Sequence, residues 1–279
     1  MAALTTKVLP KSLLNTVKRS PRAYSILRRA RFGLGTLMGA RTVPGIPGRC
    51  HFNDFMLDAT DPKSVTIYQG GAENFVKILD RSIVAAGRNW SDIERCLEIG
   101  CGYGRIIRVL KDRLPADRIY VCDVIEEGAR FTAEEFGANA IPLIENAGSR
   151  YDGSFDLIYL LSVYTHMRRE RIQDHVERVA RAMKTNGVLV FSIQGEVSAS
   201  NCEQYELYWL DKERLNRSLA ADGYYYARYP YYNEDYGVTW FRPDAVHELM
   251  RTAAPALQPV SYESASLDGH QDIYVYRKT

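Results

Sequence analysis

Residues 94–123 constrain this chain's fold more than any other part of its 279 residues. An apolar run at 94–99 leads into Glu98-Ile99-Gly100-Cys101-Gly102-Tyr103-Gly104-Arg105. Ile106, Ile107, Val109, Leu110 and Leu114 follow at helical spacing until Pro115, and a second apolar run, RIYVCDV at 118–124, carries Asp123. Strand, glycine turn, helix, strand is the opening unit of an open parallel sheet. Ligands of such sheets bind beyond the carboxyl ends of the strands. Glycines there let the backbone approach a ligand where a Cβ would collide.

The alternation continues. The pattern predicts a helix at 64–86 stopped by Gly87, a helix at Glu126–Phe136 closed by Gly137, and a short strand within 139–144. A strand at 155–161 is followed by a helix at 168–183, a turn at Lys184–Gly187 and a strand at Val188–Ile193. Pro243–Arg251 reads as a short helix, and Leu257–Glu263 and Ile273–Arg277 as strands joined near Asp268-Gly269. This order implies a parallel sheet covered on both faces and closed by a hairpin. Residues 1–60 read as a basic N-terminal arm with an extended linker at Thr42–Gly48, and 61–279 as one domain. Within it, 196–250 is a tyrosine-rich insert; nine tyrosines and two tryptophans fall between 205 and 241.

The dinucleotide fingerprint needs glycine where Arg105 stands, so the turn does not match it. It has instead an acid two residues before the first glycine, and Asp123 comes 19 residues after Gly104, where a carboxylate can accept two ribose hydroxyls. With CLEIGCGYGR at 96–105, VCDV at 121–124, FDLIYLLSVYTHM at 155–167 and MKTNGVLVFSI at 183–193, the chain resembles the class I, Rossmann-like, S-adenosylmethionine-dependent methyltransferase superfamily. Ser162-Val163-Tyr164-Thr165-His166 together with Gln271-Asp272 is similar to a bacterial subgroup that modifies glycans and secondary metabolites. The resemblance implies an α/β fold with a seven-stranded, mostly parallel sheet and an antiparallel final strand. It implies S-adenosylmethionine as cofactor, with Gly100, Cys101, Gly102 and Gly104 packed on its methionine part and Glu98 near its cationic groups. Asp123 would take the ribose hydroxyls, Val124 would lie beside the adenine, Ser162 would line the pocket, and Tyr68 would cover the donor.

Methylation of a hydroxyl needs a positioned base. His166, after the fourth strand, and His270, before the last, are the candidates on the ligand side, with Asp268 or Asp272 to orient either ring. His175 and His247 fall inside helices and read as packing residues. No acid follows the fourth strand, so no metal is read there. The tyrosine-rich insert is either an acceptor cap, by aromatic stacking and phenol hydrogen bonds, or a packed accessory hairpin or homodimer interface. The expected reaction is O-methylation of a small polar acceptor such as a sugar hydroxyl of a glycan or metabolite. The alternatives are an RNA or protein methyltransferase and a non-catalytic donor-binding protein.

Charge is unevenly placed. Ten bases precede the first acid, Asp54, and the remainder holds 26 bases against 34 acids. An acidic body makes nucleic acid an unexpected partner, while the basic arm suits peripheral contact with a membrane. The five cysteines show no C-x-x-C spacing, which points to a reducing compartment, and no apolar run is long enough to span a bilayer. The first 32 residues are basic, acid-free and hold Ser and Thr, as in a mitochondrial presequence. The expectation favoured is a bacterial-type cytoplasmic protein with a structured or membrane-touching arm.

Overall fold

A computed structural model of the chain describes residues 20–201, 210–230 and 235–279. The seven-stranded path runs β10-β11-β7-β6-β3-β4-β5. Its members are β3 (Cys96–Ile99), β4 (Ile119–Cys122), β5 (Asn139–Ala140), β6 (Phe155–Leu160), β7 (Met183–Gln194), β10 (Leu257–Leu267) and β11 (Gln271–Lys278). The strands β5, β4, β3, β6 and β7 pair in parallel, and β11 runs antiparallel to both β7 and β10. The expected Rossmann-like α/β sheet with an antiparallel final strand is therefore present. A further hairpin, β8 (Tyr224–Arg228) and β9 (Gly237–Phe241), attaches to the end of β7 through Gln194 and Trp240.

All six residues of β6 are buried, because helices cover both sheet faces and leave no side for water. Alternate residues feed two cores. Leu97, Ile99, Ile158 and Leu160 pack with α5 (Arg169–Ala182) and α8 (Pro243–Ala253). Cys96, Leu157 and Tyr159 pack with α2 (Pro62–Ala85) and α3 (Ile107–Leu110). A third, smaller core of Leu215, Leu219, Tyr225, Tyr229, Val238 and Trp240 joins the β8–β9 hairpin to α7 (Lys212–Asp222), with Ala199 from α6 (Glu196–Ser200).

Three local expectations are corrected. Thr42–Gly48 is the bend of a hairpin, β1 (Ala40–Val43) and β2 (Ile46–His51), and not a linker. Pro44 supplies the first corner and Gly45, with φ of 83°, the second. The helix after the glycine turn is regular only over Ile107–Leu110. Lys184–Gly187 lies inside β7 as an irregularity: Phe155 pairs with Met183 but Leu157 with Val188, and Asn186 turns left-handed to absorb the extra residues.

Lys7, Lys11, Lys18 and Arg19 of the basic arm lie outside the described residues. The described part, α1 (Pro21–Met38) and the β1–β2 hairpin, folds back on the body. Its anchor is Arg108, 1% exposed. Arg108 donates from Nε to the Gly104 carbonyl at 2.9 Å, from Nη1 to that of Pro47 at 2.6 Å and from Nη2 to that of Tyr103 at 3.3 Å. The Cys50 sulfur is 3.7 Å away, and the rings of Tyr68 and Phe136 lie against the guanidinium. At the rim, Arg49 pairs with Glu135 at 2.6 Å.

Arg108→Met strands the buried Gly104 and Tyr103 carbonyls and frees the hairpin at Pro47. It is expected to lower unfolding free energy by about 3 kcal/mol or more in urea titrations. Arg49→Ala, at the solvated rim, is expected to cost less than about 1 kcal/mol.

Candidate active site

The glycine turn leaves the end of β3 and crosses toward β4. Gly100, Gly102 and Gly104 all have positive φ, at 81°, 52° and 80°, where side chains with a Cβ are strained. Their surroundings differ. A Cβ on Gly100 would overlap Val163 and one on Gly104 would overlap Phe136, whereas a Cβ on Gly102 would meet nothing within 4 Å. The space beside the backbone is thus open at Gly102, whereas the outer two glycines serve close packing within the protein. Cys101 is buried, with its thiol turned toward the Gly102 carbonyl at 3.7 Å.

Asp123 sits at the end of β4, beside this turn. Its Oδ2 accepts the Gly102 N–H at 2.7 Å and its Oδ1 the Ile125 N–H at 2.7 Å. A carboxylate has about four acceptor sites, so each oxygen keeps capacity for a hydroxyl. Burial pushes its pKa up, and the two N–H groups act in the opposite direction. The next residue, Val124, is 78% exposed.

Glu98 is 3% exposed. The Tyr159 hydroxyl donates to its Oε2 at 2.8 Å. Burial pushes the Glu98 pKa up to about 8, only partly opposed by that hydrogen bond. It is mostly neutral at pH 7, and a nearby positive charge would return it to the carboxylate. Sequence reasoning did not foresee the Tyr159 partner, although its alternation with Ile158 and Leu160 places it on the Glu98 side of the sheet.

Ser162, after β6, has a left-handed backbone with φ of 58°. A small network holds it: its N–H donates to Ser192 Oγ at 2.8 Å, Gln271 Nε2 donates to its Oγ at 2.9 Å, and Ser192 Oγ donates to Gln271 Oε1 at 2.7 Å. The ends of β6, β7 and β11 are thereby joined, and a strained non-glycine residue so fixed is typical of a site. Tyr68 is placed differently from the expectation. It is 1% exposed, its hydroxyl donates to Asp54 Oδ2 at 2.7 Å, and it packs with Val43, Ile46, Cys50 and Leu57. It seals the hairpin to the body and is not an open cover.

Beside the turn, a pairing missed in the sequence brings the hairpin close: His51 stacks on Tyr103 at 4.7 Å and 2°, and both Tyr103 Oη and Asn53 Nδ2 donate to Glu127 Oε2.

His166 lies at the same strand ends. Its Nδ1 is 2.9 Å from the Gly237 carbonyl. A carbonyl only accepts, so Nδ1 carries the hydrogen, and Nε2 of the neutral ring is an acceptor with no hydrogen bond among the described residues. Burial holds its pKa below the usual imidazole value, which keeps the ring neutral. Tyr236 stacks on it at 4.9 Å, and the Tyr229 ring is 6.1 Å away. His270 is also brought to this end, with Nε2 3.3 Å from Ser198 Oγ, which accepts the Trp240 indole N–H at 3.2 Å. Neither expected acid orients a ring. Asp272 is engaged by the Tyr262 hydroxyl and the Ala265 N–H, and Asp268 accepts from Asn74. The remaining tyrosines divide: Tyr225 and Tyr229 are core, Tyr224 accepts the Arg169 N–H and Tyr226 donates to Asp235, while Tyr231 and Tyr232 lie outside the described residues.

A family model described as a methyltransferase domain matches residues 97–189. The chain is 24% identical over 170 residues to a tRNA N(3)-cytidine methyltransferase of Danio rerio, across 57% of this chain and 44% of that enzyme. It thus spans less than half the length of that relative. The PH0226 protein of Pyrococcus horikoshii superposes with a TM-score of 0.55 at 14% identity, over 80% of this chain and 95% of that one. An S-adenosylmethionine-dependent methyltransferase of Clostridium acetobutylicum gives 0.49 at 12%, over 76% and 92%. At these identities the structural likeness is one of fold.

Gly102→Ala is expected to fold with a loss of about 1–2 kcal/mol but to weaken S-adenosylmethionine binding at least about tenfold (1.4 kcal/mol) in calorimetry. Gly104→Ala, which also displaces Phe136, is expected to destabilise more. Glu98 binds its proton more tightly when folded, so its contribution to stability is present below the ordinary carboxylate pKa and is lost as pH rises through about 8. Thermal melts of Glu98→Gln are expected to lack that decline between pH 5 and 8.

Proposed function

From the match of residues 97–189 to a methyltransferase domain, we propose that the chain is a class I S-adenosylmethionine-dependent methyltransferase and that it methylates a hydroxyl of a small polar acceptor, a sugar of a glycan or metabolite, with His166 as general base. The observation that carries this reading is the His166 ring. Its Nδ1–H is committed to Gly237, its Nε2 is unprotonated, and it sits among Tyr229 and Tyr236 at the carboxyl end of β6. A carboxylate acceptor would need no base at all.

The donor-side residues fit the cofactor: an open cradle at Gly102, spare acceptor sites on Asp123, and in Glu98 a carboxyl that ionises beside a cation. When bound, S-adenosylmethionine supplies an electrophilic methyl group on its sulfonium. Glu98 and the backbone of the turn would hold its methionine part, and Asp123 its ribose. His166 Nε2 would take the hydroxyl proton as the acceptor oxygen gains the methyl group and the C–S bond breaks, its electron pair leaving with the neutral thioether sulfur. Aligning the oxygen for in-line attack would fall to the aromatic wall of Tyr236, with Tyr229 packed behind it. His270, with its ring on Ser198, is suited to binding an acceptor hydroxyl.

A nucleic-acid acceptor is the second reading, favoured by the likeness to the tRNA enzyme. Against it stands the net acidity of the body after residue 53. The test is methyl transfer from labelled donor to free sugars, small glycans and tRNA. Transfer to a sugar hydroxyl supports the proposal, and transfer to tRNA alone sinks it. His166→Gln is expected to lower kcat by about 10²–10⁴-fold with donor affinity unchanged. Since burial lowers the His166 pKa, wild-type kcat is expected to hold as pH falls to the ordinary imidazole value and to drop only below it.

A further inference from the structure

Nine large apolar side chains are exposed among the described residues. Five of them, Ile26, Leu34, Leu37, Met38 and Met56, belong to α1 and the segment after β2. The inner face of α1 is satisfied. Tyr24 and Arg31 are buried there, Gly35 is so close to Asn53 that a Cβ would overlap it, and Arg31 Nη2 donates to the Phe52 carbonyl at 2.8 Å. The outer face is not. Ile26, Leu34 and Leu37 fall at i, i+8 and i+11, which is one stripe of a helix, and are 68%, 47% and 86% exposed.

Arg22 and Arg29, both exposed, stand four residues before and three after Ile26, on the same side. Exposed Arg41 follows on β1. No acid occurs before Asp54. We propose that this outer face of α1 docks on an anionic lipid surface, with the leucines in the acyl boundary and the arginines among the headgroups. The proposal is independent of the acceptor assigned above.

The pattern selects this occupant over others. A second copy meeting the same face would set arginine against arginine. Nucleic-acid phosphates would pair with the arginines but leave the leucine stripe in water. The net-acidic body, repelled by anionic lipid, adds orientation by turning the arm toward the bilayer. No described helix is long and apolar enough to cross a membrane, so the contact is along the surface.

The experiment is flotation of the full chain with phosphatidylcholine vesicles, with and without phosphatidylglycerol, at low and high salt. The expected result is flotation with phosphatidylglycerol at low salt, weakened by salt. Leu34→Glu/Leu37→Glu, on exposed positions that leave the circular dichroism spectrum unchanged, is expected to reduce binding at least about tenfold. Arg22→Glu/Arg29→Glu is expected to do the same and to remove the salt dependence. Failure to float, equal binding to neutral vesicles, or binding unaffected by the leucine pair overturns the proposal. So does loss of a wild-type dimer or of tRNA binding in the leucine variant without loss of flotation.

Discussion

The site depends on one hydrogen bond between neighbouring strand ends, that from the Gly102 N–H to Asp123. Strands β3 and β4 pair over only four residues each, and the glycine turn projects past them. The Gly100 and Cys101 N–H groups hold the near end of the turn to the Cys122 carbonyl and Arg108 holds the far end through the Tyr103 and Gly104 carbonyls, which leaves the Gly102 N–H at the middle to be satisfied. The carboxylate supplies its partner. The group that shapes the turn is thus the same group proposed to receive the ribose.

Burial sets the chemistry around this point. Glu98 and His166 are both held toward neutrality by desolvation, the acid by a raised pKa and the imidazole by a lowered one. A neutral carboxyl under the donor cradle and a neutral ring under the tyrosine-rich hairpin keep the unliganded protein free of uncompensated interior charge. Each gains a charge more readily when chemistry brings its counterpart. Function is thus written in which groups the fold refuses to ionise, and the Tyr159 and Gly237 contacts aim those groups.

Much of this was legible in the sequence where one physical signal dominated. The buried strands declared themselves as uninterrupted apolar runs, and Glu126–Phe136 as a helix closed by a left-handed glycine. Asp123, Glu98 and the glycines could be placed because their spacing fixes them to strand ends. What failed were contacts between distant segments. Pro44-Gly45 is a turn signal by itself, but only docking on Arg108, some 60 residues later, makes it a hairpin instead of a linker. Tyr68 looked like a free aromatic because its partner Asp54 has no periodic relation to it. Asp268 and Asp272 were assigned to histidines by proximity in sequence, yet a hairpin with left-handed Ala265 and Asp268 turns them to other donors. The near-fusion of a bulge and strand at Lys184–Gly187 depends on the register of β6, which no local pattern encodes.

The order of the strands carries a consequence for how the protein is made. The last strand, β11, lies inside the sheet, between β7 and β10, and its first residue, Gln271, closes the Ser162–Ser192 network. Until β11 has been made and inserted, β7 shows an unpaired edge and Ser162 lacks one of its holders. The most local pieces can form early, but this long-range pairing comes late. Strand order thus separates in time the making of the glycine turn from the completion of the network that joins the ends of β6 and β7.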